Sequence, residues 1–386
     1  MALLSSQTGG RVLVLNAGSA TLKATVLDLP DESPRFERTV DWSAAAPPAT
    51  RRAAIDAVLG AAATDAGIAP ESLVAVAHRV VHGGERFSAP VRIDDEVIDE
   101  LARVVDLAPL HNPLAVATIE AARERLPAVP HVATFDTAFH ATLPLVARRY
   151  PVPDRWTTDH GIRRYGFHGL SVEWAVGRAS SLLGRPIDAL RLVVAHLGGG
   201  CSVTAVEGGR SVDTSMGLTP LEGLMMGTRA GSIDPGIVFR LLRAGLAADD
   251  IERDLDHDSG LLGVGGSTDM RDLEAAAATG DERAALAIAL FVRRAAAGLA
   301  AAVTTLPAVD AVVFTGGIGE HAAAVRTAIC QRLGSVGVPV PPASPEGTGE
   351  GDAILVASDS VAVLRVHARE DVVMARGALT ALTSRP

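Results

Sequence analysis

Aromatic side chains are scarce: Phe, Trp and Tyr make up 3% of the 386 residues, while 48% of the chain is hydrophobic. That balance describes a core packed from alanine, valine and leucine, and it excludes a disordered chain. Positive charge is also short, with a formal net charge of −10. Wrapping a nucleic-acid backbone needs a basic face, so no nucleic-acid partner is expected and individual arginines must capture any anion. Only two cysteines occur, Cys201 and Cys330, too few for a disulfide framework, and a reducing cytoplasm is the default. The first residues carry no basic stretch ahead of an apolar run, so no leader is expected. The most apolar stretch, Ala295–Val309, falls short of the ~20 residues of a spanning helix. It reads as a buried core helix, and no membrane partner is expected.

Several catalytic signatures are missing as well. No G-x-x-x-x-G-K-[ST] run is present, and no G-x-G-x-x-G opens a helix after the first strand, which excludes a P-loop and counts against a Rossmann site. There is no zinc spacing and no nucleophile elbow, so direct group transfer is favoured over a covalent enzyme intermediate.

What is present comes twice. Arg11–Asp28 and Leu190–Glu207 each run as a strand, a glycine-and-hydroxyl turn and a second strand. Successive N–H groups in such turns form anion-binding concavities. Two copies half a chain apart suggest a duplicated domain with one phosphate clamp in each half. Between them, short apolar strands alternate with Ala-rich helical stretches, which is the α/β pattern. Helices are expected near 51–66, 94–105, 113–124, 235–244, 248–255 and 282–306, with Pro113 suited to a first helical position. Strands are expected at 73–81, 131–135, 311–315, 353–357 and 361–366. A helix is expected from the Gly316-Gly317-Ile-Gly319-Glu320 turn to about Arg332, a surface loop over 338–351, and a last helix from about Arg369. No low-complexity linker separates the halves, which suggests lobes packed around a shared cleft.

Candidate chemistry sits at the punctuation. Asn16, Ser19, Thr21 and Lys23 suit a phosphate or its magnesium shell. Arg79 interrupts an apolar strand and must be paired with a carboxylate or face a ligand. Asp136 ends a strand, a place for a catalytic carboxylate or for a helix cap. His168 and Arg229 each lie among glycines, as site residues or as ordinary structural and loop residues. Phe314–Glu320 joins a strand to a helix start that can hold a nucleotide.

Taken together these segments resemble the acetate kinases. The motifs are Asn16-x-Gly-Ser-x-Thr-x-Lys23, His78-Arg-Val-Val-His-Gly-Gly84, Pro109-Leu-His-Asn-Pro113 and Phe135-Asp-Thr-Ala-Phe-His140. They continue with Arg164-Tyr-Gly-Phe-His168-Gly, His196-Leu-Gly, the run Asp213–Arg229, and Phe314-Thr-Gly-Gly-Ile-Gly-Glu320, all in one order. The resemblance implies the α/β, two-lobed actin-like ATPase (ribonuclease H-like) fold, with a duplicated β-β-β-α-β-α-β-α core and a cleft between lobes. The lobes implied are 1–137 plus 370–386 and 138–369, in a homodimer. It implies reversible phosphoryl transfer from ATP to acetate, with Mg2+, or alternatively Mn2+, as cofactor.

Residue by residue, the resemblance makes Arg79 and Arg229 the guanidiniums on acetate and phosphoryl, Asp136 the active-site carboxylate and His168 the transition-state stabiliser. Asn16 and Glu370 become the magnesium-side residues. Lys23, His196, Leu197, Gly198, Gly199, Gly200, Asp269, Met270, Arg271, Gly317, Ile318, Gly319, Glu320 and His321 become the nucleotide-binding segments. Val81, Leu110, Phe167 and Pro220 become the pocket for the acetate methyl. Removing either arginine is expected to spare folding. The chain departs from the family at Ala20, at Gly199 and His321, where asparagine is usual, and at Ala368-Arg369. Gly199 removes one side-chain contact to phosphate. Other readings are a propionate kinase with a roomier pocket, an actin- or chaperone-like ATPase, or a silent nucleotide-binding regulator.

Overall fold

The computed structural model describes residues 10–18, 21–42, 48–108, 111–343, 351–358 and 361–383. It divides into two compact units, Met1–Phe139 with Arg369–Pro386, and His140–Ala368.

The first unit is built on β1 (Arg11–Ala17), β2 (Thr21–Asp28), β3 (Ser33–Asp41), α1 (Pro48–Ala66), β4 (Leu73–Val80), β5 (Val91–Arg92), α2 (Asp95–Arg103), α3 (Asn112–Arg125) and β6 (His131–Phe135). Its sheet order is β3-β2-β1-β4-β6-β5. β1 and β2 pair antiparallel with Asn16 opposite Lys23, while β1, β4 and β6 run parallel. The largely apolar runs of β1, β4 and β6 fit this, because a central strand covered on both faces favours hydrophobic residues on both. On one side Leu13, Leu15 and Val76 join Ile55 and Val58 of α1 and Ala122 of α3. A second cluster gathers Val80 and Phe135 with Phe87, Leu101 and Ile119. Asp94 caps α2 by accepting from the Val97 amide at 2.9 Å. Pro113 stands second in α3, one place later than expected.

The second unit opens with α4 (Leu145–Arg148), α5 (Asp154–His160) and α6 (Gly169–Leu183), followed by β7 (Arg191–Leu197), β8 (Cys201–Glu207) and β9 (Arg210–Thr214). A helical block follows: α7 (Pro235–Arg243), α8 (Ala248–His257), α9 (Gly260–Gly265), α10 (Met270–Ala278) and α11 (Glu282–Thr304). Then come β10 (Ala311–Thr315), α12 (Gly316–His321), α13 (Ala323–Arg332), β11 (Ala353–Ala357) and β12 (Ala362–Arg365). Its sheet order, β11-β12-β10-β7-β8-β9, repeats that of the first unit strand for strand. The duplication expected from the two hairpins is therefore present. α11 is long and apolar enough to cross a membrane, but it packs on β7, β8 and α13 with Phe291 and Leu299 buried. The helix expected to continue from the glycine turn to Arg332 is broken at Ala322, which takes φ −91°, ψ 82°.

One feature of the connectivity is not evident from the strand pattern. α6 follows the first sheet in sequence but packs on β7 and β10 of the second. The last helix, α14 (Glu370–Thr383), follows the second sheet but packs on β1, β4, β5 and β6 of the first. The first sheet is thus closed by a helix from the far end of the chain, while α6 covers the sheet of its own unit.

Candidate active site

Arg79 lies in β4, beside β6, whose end carries Asp136. Its Nε donates to Asp136 Oδ1 at 2.8 Å and its Nη2 to Oδ2 at 2.5 Å. Nη1 donates to Asn16 Oδ1 at 3.3 Å and lies 3.7 Å from Glu370 Oε2, on the first residue of α14. Asp136 is buried, 1% exposed. Burial alone would pull the Arg79 pKa down, but Asp136 and Glu370 outweigh it and hold the guanidinium charged, above its ordinary value. Of the two possibilities for Arg79, the carboxylate partner is real, and the side chain as a whole stays one-fifth exposed. The expectation that Arg79 is dispensable for folding is corrected here, since its removal strands a buried carboxylate.

The chain after β4 is pinned by residues that sequence reasoning gave no role. Asn112 accepts from the His82 amide at 3.1 Å and donates to its carbonyl at 2.9 Å. Thr137 Oγ1 accepts from the Gly83 amide at 3.1 Å. Half-buried Val81 sits between Arg79 and this clamp. Leu110, expected in the same pocket, lies outside the described residues. Lys23, the only lysine of the chain, is exposed on β2.

Asn16 and Glu370 converge on one Arg79 nitrogen as an amide oxygen and a carboxylate. Such hard oxygen donors fit Mg2+, which takes few protein ligands and fills its shell with water and phosphate oxygens. Among the described residues no cluster of three His, Cys, Asp or Glu forms a metal cage.

In the second unit, His168 immediately precedes α6 with φ +59°, a left-handed conformation uncommon outside glycine. Its Nδ1 lies 3.0 Å from Ser202 Oγ, and its ring is 4.3 Å from that of His196. His196 is anchored in turn by Ser171 Oγ at 2.8 Å. A Cβ placed on Gly200 would lie 3.0 Å from His168 Nε2 and 3.7 Å from Arg229 Nη1. Only glycine leaves that space clear, and both groups border it. Arg229 Nη1 also donates to the Pro220 carbonyl at 3.1 Å, and its Nε is 3.9 Å from Asp256 Oδ1. Phe167 is buried, its carbonyl 2.9 Å from His140 Nε2.

A cavity of about 480 Å³ brings together eight of the residues expected to hold nucleotide: Gly198, Gly199, Asp269, Met270, Arg271, Gly317, Ile318 and His321 line it, with Thr268, Glu274 and Ala322. Asp269 caps α10 and is gripped by Arg271, which holds its pKa at about 2. Some expected nucleotide residues face elsewhere. Leu197 is fully buried in β7. Glu320 Oε1 accepts from the amides of Gly316 at 3.0 Å and Ala368 at 3.1 Å, and Oε2 lies 2.6 Å from His367 Nδ1. Its carboxylate braces the strand-to-helix turn. Cys201 is buried, and burial pushes its thiol pKa up to about 12, so it supplies no nucleophile.

Residues 41–376 match the model of the acetokinase family. The chain belongs to that family. It is 52% identical over 310 residues to the acetate kinase of Deinococcus deserti, covering 79% of this chain and 78% of that one. It is similar to the crystal structure of Porphyromonas gingivalis acetate kinase, with a TM-score of 0.87, 34% identity, and 97% and 100% of the two chains covered. It is almost as similar to a propionate kinase from Francisella tularensis, with a TM-score of 0.86, 33% identity, and 96% and 99% covered. Membership of the acetokinase family makes the chain a kinase with the two-unit α/β fold described above, and the shared fold leaves the acyl acceptor to be decided by side chains.

Proposed function

We propose that the chain transfers the terminal phosphoryl group of ATP to acetate, reversibly, giving acetyl phosphate and ADP. The observation that carries this reading is the cavity of about 480 Å³ lined by Gly198, Gly199 and Gly317, next to Gly200, where His168 and Arg229 converge. Backbone N–H groups of such turns suit the nucleotide phosphates. Arg229 and His168 are then in place to stabilise charge on the transferring group, and Arg79, one-fifth exposed, to hold acetate. Acetate is already a carboxylate at neutral pH and needs no base. Asp136, with both oxygens on Arg79, acts by fixing that guanidinium. In-line transfer of this kind depends on positioning and charge neutralisation. Mg2+ or Mn2+ held by Asn16 and Glu370 would neutralise phosphate charge. Val81, Phe167 and Pro220 are the proposed walls around the acetate methyl.

For assembly we propose a homodimer through α7, whose Ile237, Phe239 and Leu242 are 45%, 58% and 41% exposed, with Leu246 just beyond at 39%. Four large apolar side chains left exposed on and just after one short helix favour a partner surface. A monomer by sedimentation at micromolar concentration would overturn it. Two buried free cysteines support a reducing compartment, the cytoplasm.

Trapping acyl phosphate with hydroxylamine across acetate, propionate and butyrate tests the function. Acetate should give the largest specificity constant. Absence of hydroxamate from every acid would remove the reading, and a preference for propionate would replace it with the second one, which the similarity to a propionate kinase favours.

A further inference from the structure

The loop 215–224 carries Pro220, whose carbonyl holds Arg229, yet beyond Ser215, which bonds to Val203 of β8, it contains no helix or strand. Its support comes from side chains distant in sequence. Arg164 Nη1 donates to the carbonyls of Ser215 and Met216 at 3.0 and 2.9 Å. Its Nη2 donates to Glu222 Oε1 at 2.9 Å. The Tyr150 hydroxyl donates to Glu222 Oε2 and accepts from the Leu218 amide at 3.0 Å. The Arg164 guanidinium lies over the Tyr150 ring, 5.4 Å from its centroid. Gly217 threads the middle of this cluster, where any Cβ would overlap the Glu222 carboxylate and the Tyr150 hydroxyl. The same Gly217 accepts through its carbonyl from the amides of Tyr165 and Gly166 at 3.0 and 3.3 Å. Those amides lie just before His168.

The cluster therefore ties both ends of the candidate catalytic pair together: the segment that presents His168 and the loop whose carbonyl orients Arg229. Asp213, whose pKa burial raises, also lies within electrostatic reach of Arg164 and Glu222. We propose that Glu222, clamped between Arg164 and Tyr150, is a positioning residue that fixes Arg229 through Pro220 and His168 through Gly217. It touches no reacting group. Its work is to remove the freedom of a loop that must place a guanidinium to within a fraction of an ångström. Burial and the bond to Glu222 raise the Tyr150 pKa well above the usual tyrosine value, so the phenol stays neutral and keeps donating across the working pH range.

This inference rests on the phosphoryl-transfer reading, and its test separates the two. Glu222→Gln keeps the size and one acceptor, and Tyr150→Phe removes both hydroxyl contacts while keeping the ring. Misplacing a catalytic group without deleting it should lower kcat roughly tenfold in either variant, with the KM for ATP little changed. In an Arg229→Ala background the same substitutions should cost less than in the wild type, because only His168 is then left to position. Amide exchange over 215–222 and 165–167 should quicken in both variants with the midpoint of thermal unfolding held. Equal fold-losses in the wild-type and Arg229→Ala backgrounds, or unaltered exchange in those segments, would overturn the positioning role. Should the wild-type protein make no acyl phosphate from any acid, the functional reading falls, and the exchange measurement alone decides whether the brace orders the loop.

Discussion

Arg79 and Asp136 meet fork to fork, Nε to Oδ1 at 2.8 Å and Nη2 to Oδ2 at 2.5 Å. The pair joins the ends of two parallel strands and leaves one guanidinium edge toward Asn16 and Glu370. Asp136→Ala should therefore fail twice. Turnover should drop by about a hundredfold or more, because a freed guanidinium no longer holds the reacting geometry. Stability should fall by roughly 2–4 kcal/mol, since breaking a buried pair strands a charge. Steady-state kinetics and urea unfolding check both. Lost stability with intact turnover would make Asp136 purely structural.

Arg229 is held differently, by a carbonyl and a distant carboxylate at 3.9 Å. Arg229→Ala should cost turnover about as much as losing one preorganised donor of transition-state charge, ~3–4 kcal/mol, while leaving unfolding within about 1 kcal/mol of wild type. Arg79→Ala should lose both activity and stability. A matched stability loss in the two variants would contradict the contrast drawn from their partners.

Much of this was legible because the relevant signals are local. Apolar runs and glycine turns are enough to locate both hairpins, the parallel strands and the nucleotide segments that line one cavity. β3 escapes such reading because it is an edge strand: of its nine residues only Phe36 is buried, so its polar pattern looks like a loop. β9 follows a two-glycine turn and is equally short of signal. Tyr150 and Glu222 are 72 residues apart, and Glu320 turns inward to His367 across 47. Contacts of that span leave no trace in spacing. Nor does the return of α14 to the first sheet, since helix propensity is silent about which surface a helix covers.

Gly199 lines the cavity with no atom within 4 Å of where its Cβ would stand. The asparagine usual in the family should therefore fit without strain. Gly199→Asn should unfold like wild type and lower the KM for ATP about two- to tenfold, the worth of one added neutral hydrogen bond to phosphate. An unchanged KM would mean that phosphate does not pass this turn.

Acid should weaken the first unit. His78 and His131 stack with ring centroids 5.2 Å apart and Nε2 to Nδ1 at 2.9 Å, both buried. Burial, then the charge of His131, pushes the His78 pKa well below the histidine range, and burial lowers that of His131 too. The unfolded chain thus binds protons near pH 6.5 that the folded chain refuses. Stability is fully present above that pH and is lost as pH falls below it, by up to about 1.4 kcal/mol per unit for each histidine. Urea midpoints between about pH 7 and pH 5 should show this fall, and a double His78→Gln, His131→Gln variant should flatten it. An equally steep fall in the variant would assign the acid sensitivity elsewhere.

Val81 is the residue proposed to set which acid accepts the phosphoryl group. It stands two residues after Arg79, half-buried, in a stretch that Asn112 and Thr137 clamp to the sheet, so its branched side chain cannot retreat with its backbone. If it walls the acetate methyl, the extra methylene of propionate meets it. One methylene in an apolar pocket discriminates by only ~1–3 kcal/mol, so propionate should be a poorer substrate and still a substrate. Val81→Ala should narrow that gap mainly through the KM for propionate, because added space changes binding more than the transfer of charge. An ordinary strand-end packing role predicts something else: lower stability and equal losses for both acids. Specificity constants for acetate and propionate in the two proteins separate these outcomes. An unchanged ratio removes Val81 from the pocket, and a wild-type preference for propionate would show that the wall lies elsewhere and the acceptor is the larger acid.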